Sequence, residues 1–107
     1  MLVALFLLNL VLSINPTIAF APVRITATFR FDQPVLGEVC LQAVAVSDDA
    51  TIFYRETCEG INGTVRQLRW NWPWSGTFEF RGVYRGGTET IITSPQIVSI
   101  KPPLGAS

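Results

Sequence analysis

Three tryptophans spaced two residues apart, Trp70, Trp72 and Trp74 in the run Trp-Asn-Trp-Pro-Trp, are the densest group of side chains able to do chemistry. Indole faces stack on sugar rings and anchor protein partners. In an extended strand Trp70 and Trp72 share a face with Leu68, which suits a core equally well, whereas Trp74 follows Pro73 toward a turn. A small core has little room for three indoles, so at least one is expected at the surface, with Trp72 the most buried and Trp74 the most exposed. Asp48-Asp49, with Glu56 or Glu59, offers carboxylates to a calcium ion. Calcium takes about six to eight oxygens from a spaced ligand loop, and that spacing is absent here; the acid pair suits a solvated turn better. The sequence has no histidine, which excludes Ser-His-Asp and Cys-His nucleophiles, and no glycine loop resembles a phosphate cradle. Asn62-Gly63-Thr64 is an acceptor sequence for N-glycosylation. The expectation is a non-enzyme without metal or cofactor, with Trp70, Trp72 and Trp74 as the ligand-binding candidates.

Composition narrows the partners. The 107 residues carry eight basic and eight acidic side chains, all after Pro22 and interleaved, for a formal charge of zero. That balance argues against nucleic acid or an anionic membrane surface as the main partner and leaves a protein or glycan ligand. Arg69, Arg81 and Arg85 fall on outward strand positions and would form at most a mild basic patch. Leu2 to Leu12 is an apolar run broken only by Asn9, followed by the more polar Ser13 to Thr17 and small residues at Ala19 and Ala21. This is the layout of a secretory leader, although its start carries no Lys or Arg. Cleavage after Ala19 avoids placing Pro22 next to the cut and would start the processed chain at Phe20. The core of the run is too short to cross a bilayer comfortably, and no later segment is long enough. Export in turn makes Cys40 and Cys58, the only cysteines, a disulfide.

The elements that must position these residues read as strands. Val23 to Phe31 alternates, with Val23, Ile25, Ala27, Phe29 and Phe31 on one face and Arg24, Thr26, Thr28 and Arg30 on the other. Asp32, Pro34 and Gly37 end it. Glu38 to Val46 and Thr51 to Thr57 are two more strands joined through Ser47-Asp48-Asp49-Ala50, with the cysteines nearly symmetric about that turn. Cys58 to Thr64 reads as a loop, Val65 to Trp72 and Thr77 to Arg85 as strands, and Gly86-Gly87 as a tight hairpin turn. Thr88 to Lys101 is a last strand broken at Ser94-Pro95, as a proline requires. The resulting division is a signal peptide over 1–21, a β-sandwich domain over 22–101 and a flexible tail over 102–107.

The segment from Gly76 through Tyr84, with Gly86-Gly87, Ser94-Pro95 and Ile97 to Ile100, resembles the final hairpin of fibronectin type III and bacterial immunoglobulin-like domains. Val39 to Val46 and Thr51 to Tyr54 are similar to their second and third strands. The resemblance spans residues 38–101. It departs from the fibronectin type III pattern at Phe78, where those domains usually carry a tyrosine, at Leu41, where they usually carry a tryptophan, and in having the two cysteines. It implies an all-β, immunoglobulin-like or fibronectin III-like sandwich of about six to seven antiparallel strands, secreted or in an extracellular or periplasmic space. Domains of that kind serve as recognition modules, adhesins or spacers, and as carbohydrate-binding modules or small secreted effectors and inhibitors in the alternative readings.

Overall fold

A computed structural model describes residues 8–46 and 53–105. These residues are all-β, with seven strands and no helix among them: β1 (Leu10–Asn15), β2 (Ile18–Phe20), β3 (Val23–Ala45), β4 (Tyr54–Trp72), β5 (Gly76–Gly86), β6 (Glu89–Ile92) and β7 (Gln96–Lys101).

β3 and β4 are the long members and lie antiparallel along nearly their full lengths. The alternation of Val23 to Phe31 works as the sequence implies: Ile25, Ala27, Phe29 and Phe31 are buried, and Arg24 and Arg30 point outward. A register break between Arg30 and Val35 coincides with Asp32 and Pro34. The strand bends there instead of ending, then resumes with Val39, Leu41 and Ala43 facing inward. Its two halves have different neighbours. The first half lies between β1 and the second half of β4, with Leu12 opposite Phe29 and Leu68 opposite Ala27. The second half lies between the first half of β4 and β5, with Val39 opposite Tyr84 and Ala43 opposite Phe80.

β5 then pairs on its other side with β7 through Phe78 and Phe80, and with β6 through Val83 to Gly86. The β5–β6 turn is Gly87-Thr88, and Gly87 carries the left-handed φ of +59° that such a turn demands. The 93–95 segment around Pro95 separates β6 from β7. β2 closes the far side by pairing parallel with β7, so the sheet is mixed, correcting the expectation of antiparallel strands throughout. A single core contains Leu12, Ile14, Ile25, Phe29, Leu41, Leu68, Trp72, Phe78, Phe80, Val98 and Ile100, drawn from five of the seven strands.

One further expectation changes. Cys58 to Thr64 is strand, with Ile61 opposite Gly37 and Asn62 opposite Leu36, the ladder with the second half of β3 running through it as far as Gly63. The leader expected over residues 1–21 is, over its described part, strand as well. β1 pairs with six residues of β3, Leu12 and Ile14 are core residues, and Ala21 donates its amide to the carbonyl of Lys101. An apolar run of this kind can serve as a leader core or as a buried strand. Residues 102–105 are exposed and outside any strand.

Candidate functional site

The aromatic run lies at one end of the molecule. Trp70 and Trp72 occupy inward positions of β4, opposite Ile25 and Val23, and Trp74 follows in the connection to β5. Trp72 has no exposed surface, while Trp70 and Trp74 are half-buried and pack on the core. Its indole is the hub of an edge-to-face cluster, with ring centroids at 5.0 Å from Trp70 and Phe78, 4.9 Å from Trp74 and 5.7 Å from Phe53. Such pairs add about 0.5–1.5 kcal/mol each beyond burial. The Trp72 Nε1–H is buried with no oxygen acceptor among the described residues, and its nearest neighbours are these rings. The core therefore holds more indole than its size suggested, since three tryptophans pack against one another instead of each claiming its own aliphatic pocket.

The accessible margin of the cluster is a cavity of about 380 Å³ lined by Val46, Phe53, Trp74, Thr77 and Phe78 among others. Arg55 stacks on two of the lining rings, its guanidinium carbon 4.4 Å from the Phe53 ring centre and 4.9 Å from that of Trp74. The margin is thus an apolar floor with one cation stacked on it, a pairing worth roughly 0.5–2 kcal/mol. Phe53 and Arg55, which sequence reading passed over, are the residues that shape it. No spacing could have marked them, because Phe53 and Trp74 lie beyond opposite ends of the β3–β4 ladder and meet only when its two halves pack on each other.

Cys40 and Cys58 stand directly opposite each other in the β3–β4 ladder and form a disulfide, with Cα atoms 4.0 Å apart. The bond lies on the outward side of the sheet. Arg85 covers it, donating from Nη1 to Cys40 Sγ at 3.6 Å and approaching Glu38 at 3.7 Å. Glu38 and both sulfurs lie close enough together to suggest metal ligation, but sulfurs spent in a disulfide cannot act as thiolates. Farther along this face Glu56 accepts hydrogen bonds from Gln42 and from the Tyr54 hydroxyl. The Tyr54 phenol titrates above its ordinary range, through desolvation first and the adjoining Glu56 carboxylate second.

The remaining candidates are dispersed. Asn62 is exposed on β4 beside Gly63. Arg81 and Arg85 lie on β5 opposite Gln42 and Glu38, whereas Arg69 lies opposite Thr26 in the other half, so the three make no common patch. Asp48 and Asp49 lie outside the described residues. Among the described residues no helix is long and apolar enough to cross a membrane. A scan against family models finds no match, and a search of the curated proteins returns no relative.

Proposed function

We propose that the chain is a non-catalytic, exported β-sandwich module of immunoglobulin-like type that recognises a protein ligand, with the Phe53–Trp74 margin as its contact surface. The split pairing of β3 supports the sandwich: β1 and the second half of β4 flank one half, and the first half of β4 and β5 flank the other. The parallel pairing of β2 with β7 suits the same arrangement, in which the first strand crosses from one layer to the other. Export is supported by the Cys40–Cys58 disulfide, which persists in oxidising compartments.

The observation that carries the contact surface is the stacking of Arg55 on Phe53 and Trp74. Aromatic and arginine side chains together are what buried protein interfaces enrich. A sugar platform would instead need an open indole face, and Trp74 has the guanidinium on one of its own. The carbohydrate-binding alternative therefore demands that Arg55 move aside. A non-enzymatic role is supported by the lack of histidine and by the engagement of three of the acids: Glu59 with Arg66, Glu38 with Arg85, Glu56 with Gln42 and Tyr54.

Trp74→Ala tests this reading together with Arg55→Ala. Both variants should stay folded by circular dichroism, and both should lose a partner captured from extracellular fluid by the wild type. If oligosaccharides quench the wild-type tryptophan emission but not that of Trp74→Ala, the protein-ligand reading gives way to the sugar one. If both variants keep every partner, recognition lies elsewhere.

A further inference from the structure

β4 runs for 19 residues without a proline, and among the described residues it pairs only with β3. Its other edge carries free backbone donors and acceptors along both halves of the molecule. The disulfide shows which ones. A Cα separation of 4.0 Å at Cys40–Cys58 is that of a narrow, non-hydrogen-bonded pair, so Cys58 turns its N–H and C=O away from β3. Side-chain direction and lateral hydrogen-bond direction alternate together along a strand. The other outward residues, Glu56 in the first half and Gln67 and Arg69 in the second, therefore also address the free edge.

Free edges are usually defended by charges that repel a second copy. Here the charges do the opposite. The first half of β4 carries Glu56 and Glu59, and the second half carries Arg66 and Arg69. If two copies lie antiparallel with the dyad between Asn62 and Gly63, Glu56 faces Arg69 and Glu59 faces Arg66, twice over by symmetry. The same register sets Glu56 and Arg69, both outward, on one side, and Glu59 and Arg66, both on the core side, on the other. That agreement is not automatic. It arises because the inward positions are odd-numbered up to Gly63 and even-numbered from Arg66 onward, across the register break. A slip of two residues either way puts Glu59 opposite Leu68 or Thr64 and loses the match. Arg66 also has a buried Nε without an acceptor among the described residues, which a second Glu59 would supply.

We infer that the chain forms a symmetric dimer through antiparallel pairing of β4 with β4 of a second copy, in the register that opposes Glu56 to Arg69 and Glu59 to Arg66. The interface is isologous, so each charge pair occurs twice. It is independent of what the Phe53–Trp74 margin binds.

Sedimentation equilibrium of the full, unglycosylated chain over a concentration series tests this, glycan being omitted because Asn62 lies beside the dyad. The wild type should sediment as a dimer. Glu56→Arg places arginine opposite Arg69, and Arg69→Glu places glutamate opposite Glu56. Each variant alone should dissociate at least about tenfold more readily. An equimolar mixture of the two should associate again, because each then offers the other opposite charges at both positions. A merely misfolded variant would not be rescued by mixing. A monomeric wild type at millimolar concentration overturns the inference, as it would if this edge instead received a strand from a different protein. Variants that dimerise as tightly as the wild type overturn the register. Should either variant fail to fold, Glu56→Gln and Arg69→Gln replace the pair: each alone must weaken the dimer, and mixing must recover part of the loss, because the mixed dimer regains one of the two Glu56–Arg69 contacts.

Discussion

A chain that starts at Phe20, as cleavage after Ala19 would leave it, loses all of β1 and most of β2. Leu12 and Ile14 are each only 7% exposed, and they cover Phe29 and Ala27, which have no exposed surface. Emptying one such site costs about 2–5 kcal/mol, so losing both removes on the order of 4–10 kcal/mol. Gln96 also loses the Leu12 carbonyl, to which its Nε2 donates at 2.7 Å, and Ser99 loses its amide bond to Thr17. A domain of this size has about 5–15 kcal/mol in total. The shortened chain should therefore be unfolded or barely stable at room temperature, while the full chain melts cooperatively. Urea titration of the two, followed by tryptophan emission, measures the difference. Leu12→Ala in the full chain gives an independent value of about 2–5 kcal/mol. A shortened chain with the midpoint and slope of the full one would refute the structural role of β1. The intact mass of the protein from its native source then tells which fate these residues meet, because a product starting at Phe20 keeps only 88 of the 107 residues.

Reducing Cys40–Cys58 frees a loop of seventeen intervening residues and should cost about 3 kcal/mol, read as a lower urea midpoint for Cys40→Ser/Cys58→Ser than for the oxidised wild type. An unchanged midpoint would mean that the β3–β4 ladder alone already holds that hairpin. Two glycines with positive φ separate steric from conformational cost. A Cβ on Gly37 would lie 2.3 Å from the Arg85 carbonyl oxygen, whereas one on Gly63 would meet nothing within 4 Å. Gly63→Ala should lose about 1–3 kcal/mol from backbone strain alone. Gly37→Ala should lose a further 1–3 kcal/mol or so, since backbone atoms of β5 must move; equal losses would show that the close approach is not real.

Much of the strand pattern was legible. The alternation from Val23 to Phe31, the inward face of Trp70, Trp72 and Leu68, the glycine turn after β5 and the break at Pro95 follow from period-two patterning and turn chemistry that act over a few residues. The opposition of Cys40 and Cys58 was legible too, from their symmetry about the intervening turn. What escaped reading was decided by long-range pairing. Asp32 and Pro34 signal an end to a strand, yet β3 carries on because β4 continues beside it beyond the break. Leu10 to Ile14 reads as part of an apolar leader run, and its pairing with β3 rests on residues 27–31, which no local pattern reveals. Phe53 and Arg55 gain meaning only once the two halves of the β3–β4 ladder pack on each other and bring them against Trp74.

The two long strands explain why one end of the molecule collects the aromatic side chains. β3 and β4 both cross between the two halves, so the cluster around Trp72 receives rings from each: Trp70 from the side of β1, Phe53, Phe78 and Phe80 from the side of β5. Packing rings edge-to-face at about 5 Å fixes the halves against each other at that end. Farther along, Tyr84 packs on Phe31 and donates its hydroxyl to the Leu36 carbonyl at 3.1 Å, which ties β5 to the bend of β3. In the middle of β4 Ile61 is buried in the core, while Glu59 and Arg66 bridge the bend at the surface, each about half exposed. A surface ion pair contributes little to stability. Its placement, on the free edge and beside the proposed dyad, makes more sense as half of a four-charge contact than as a brace within one chain.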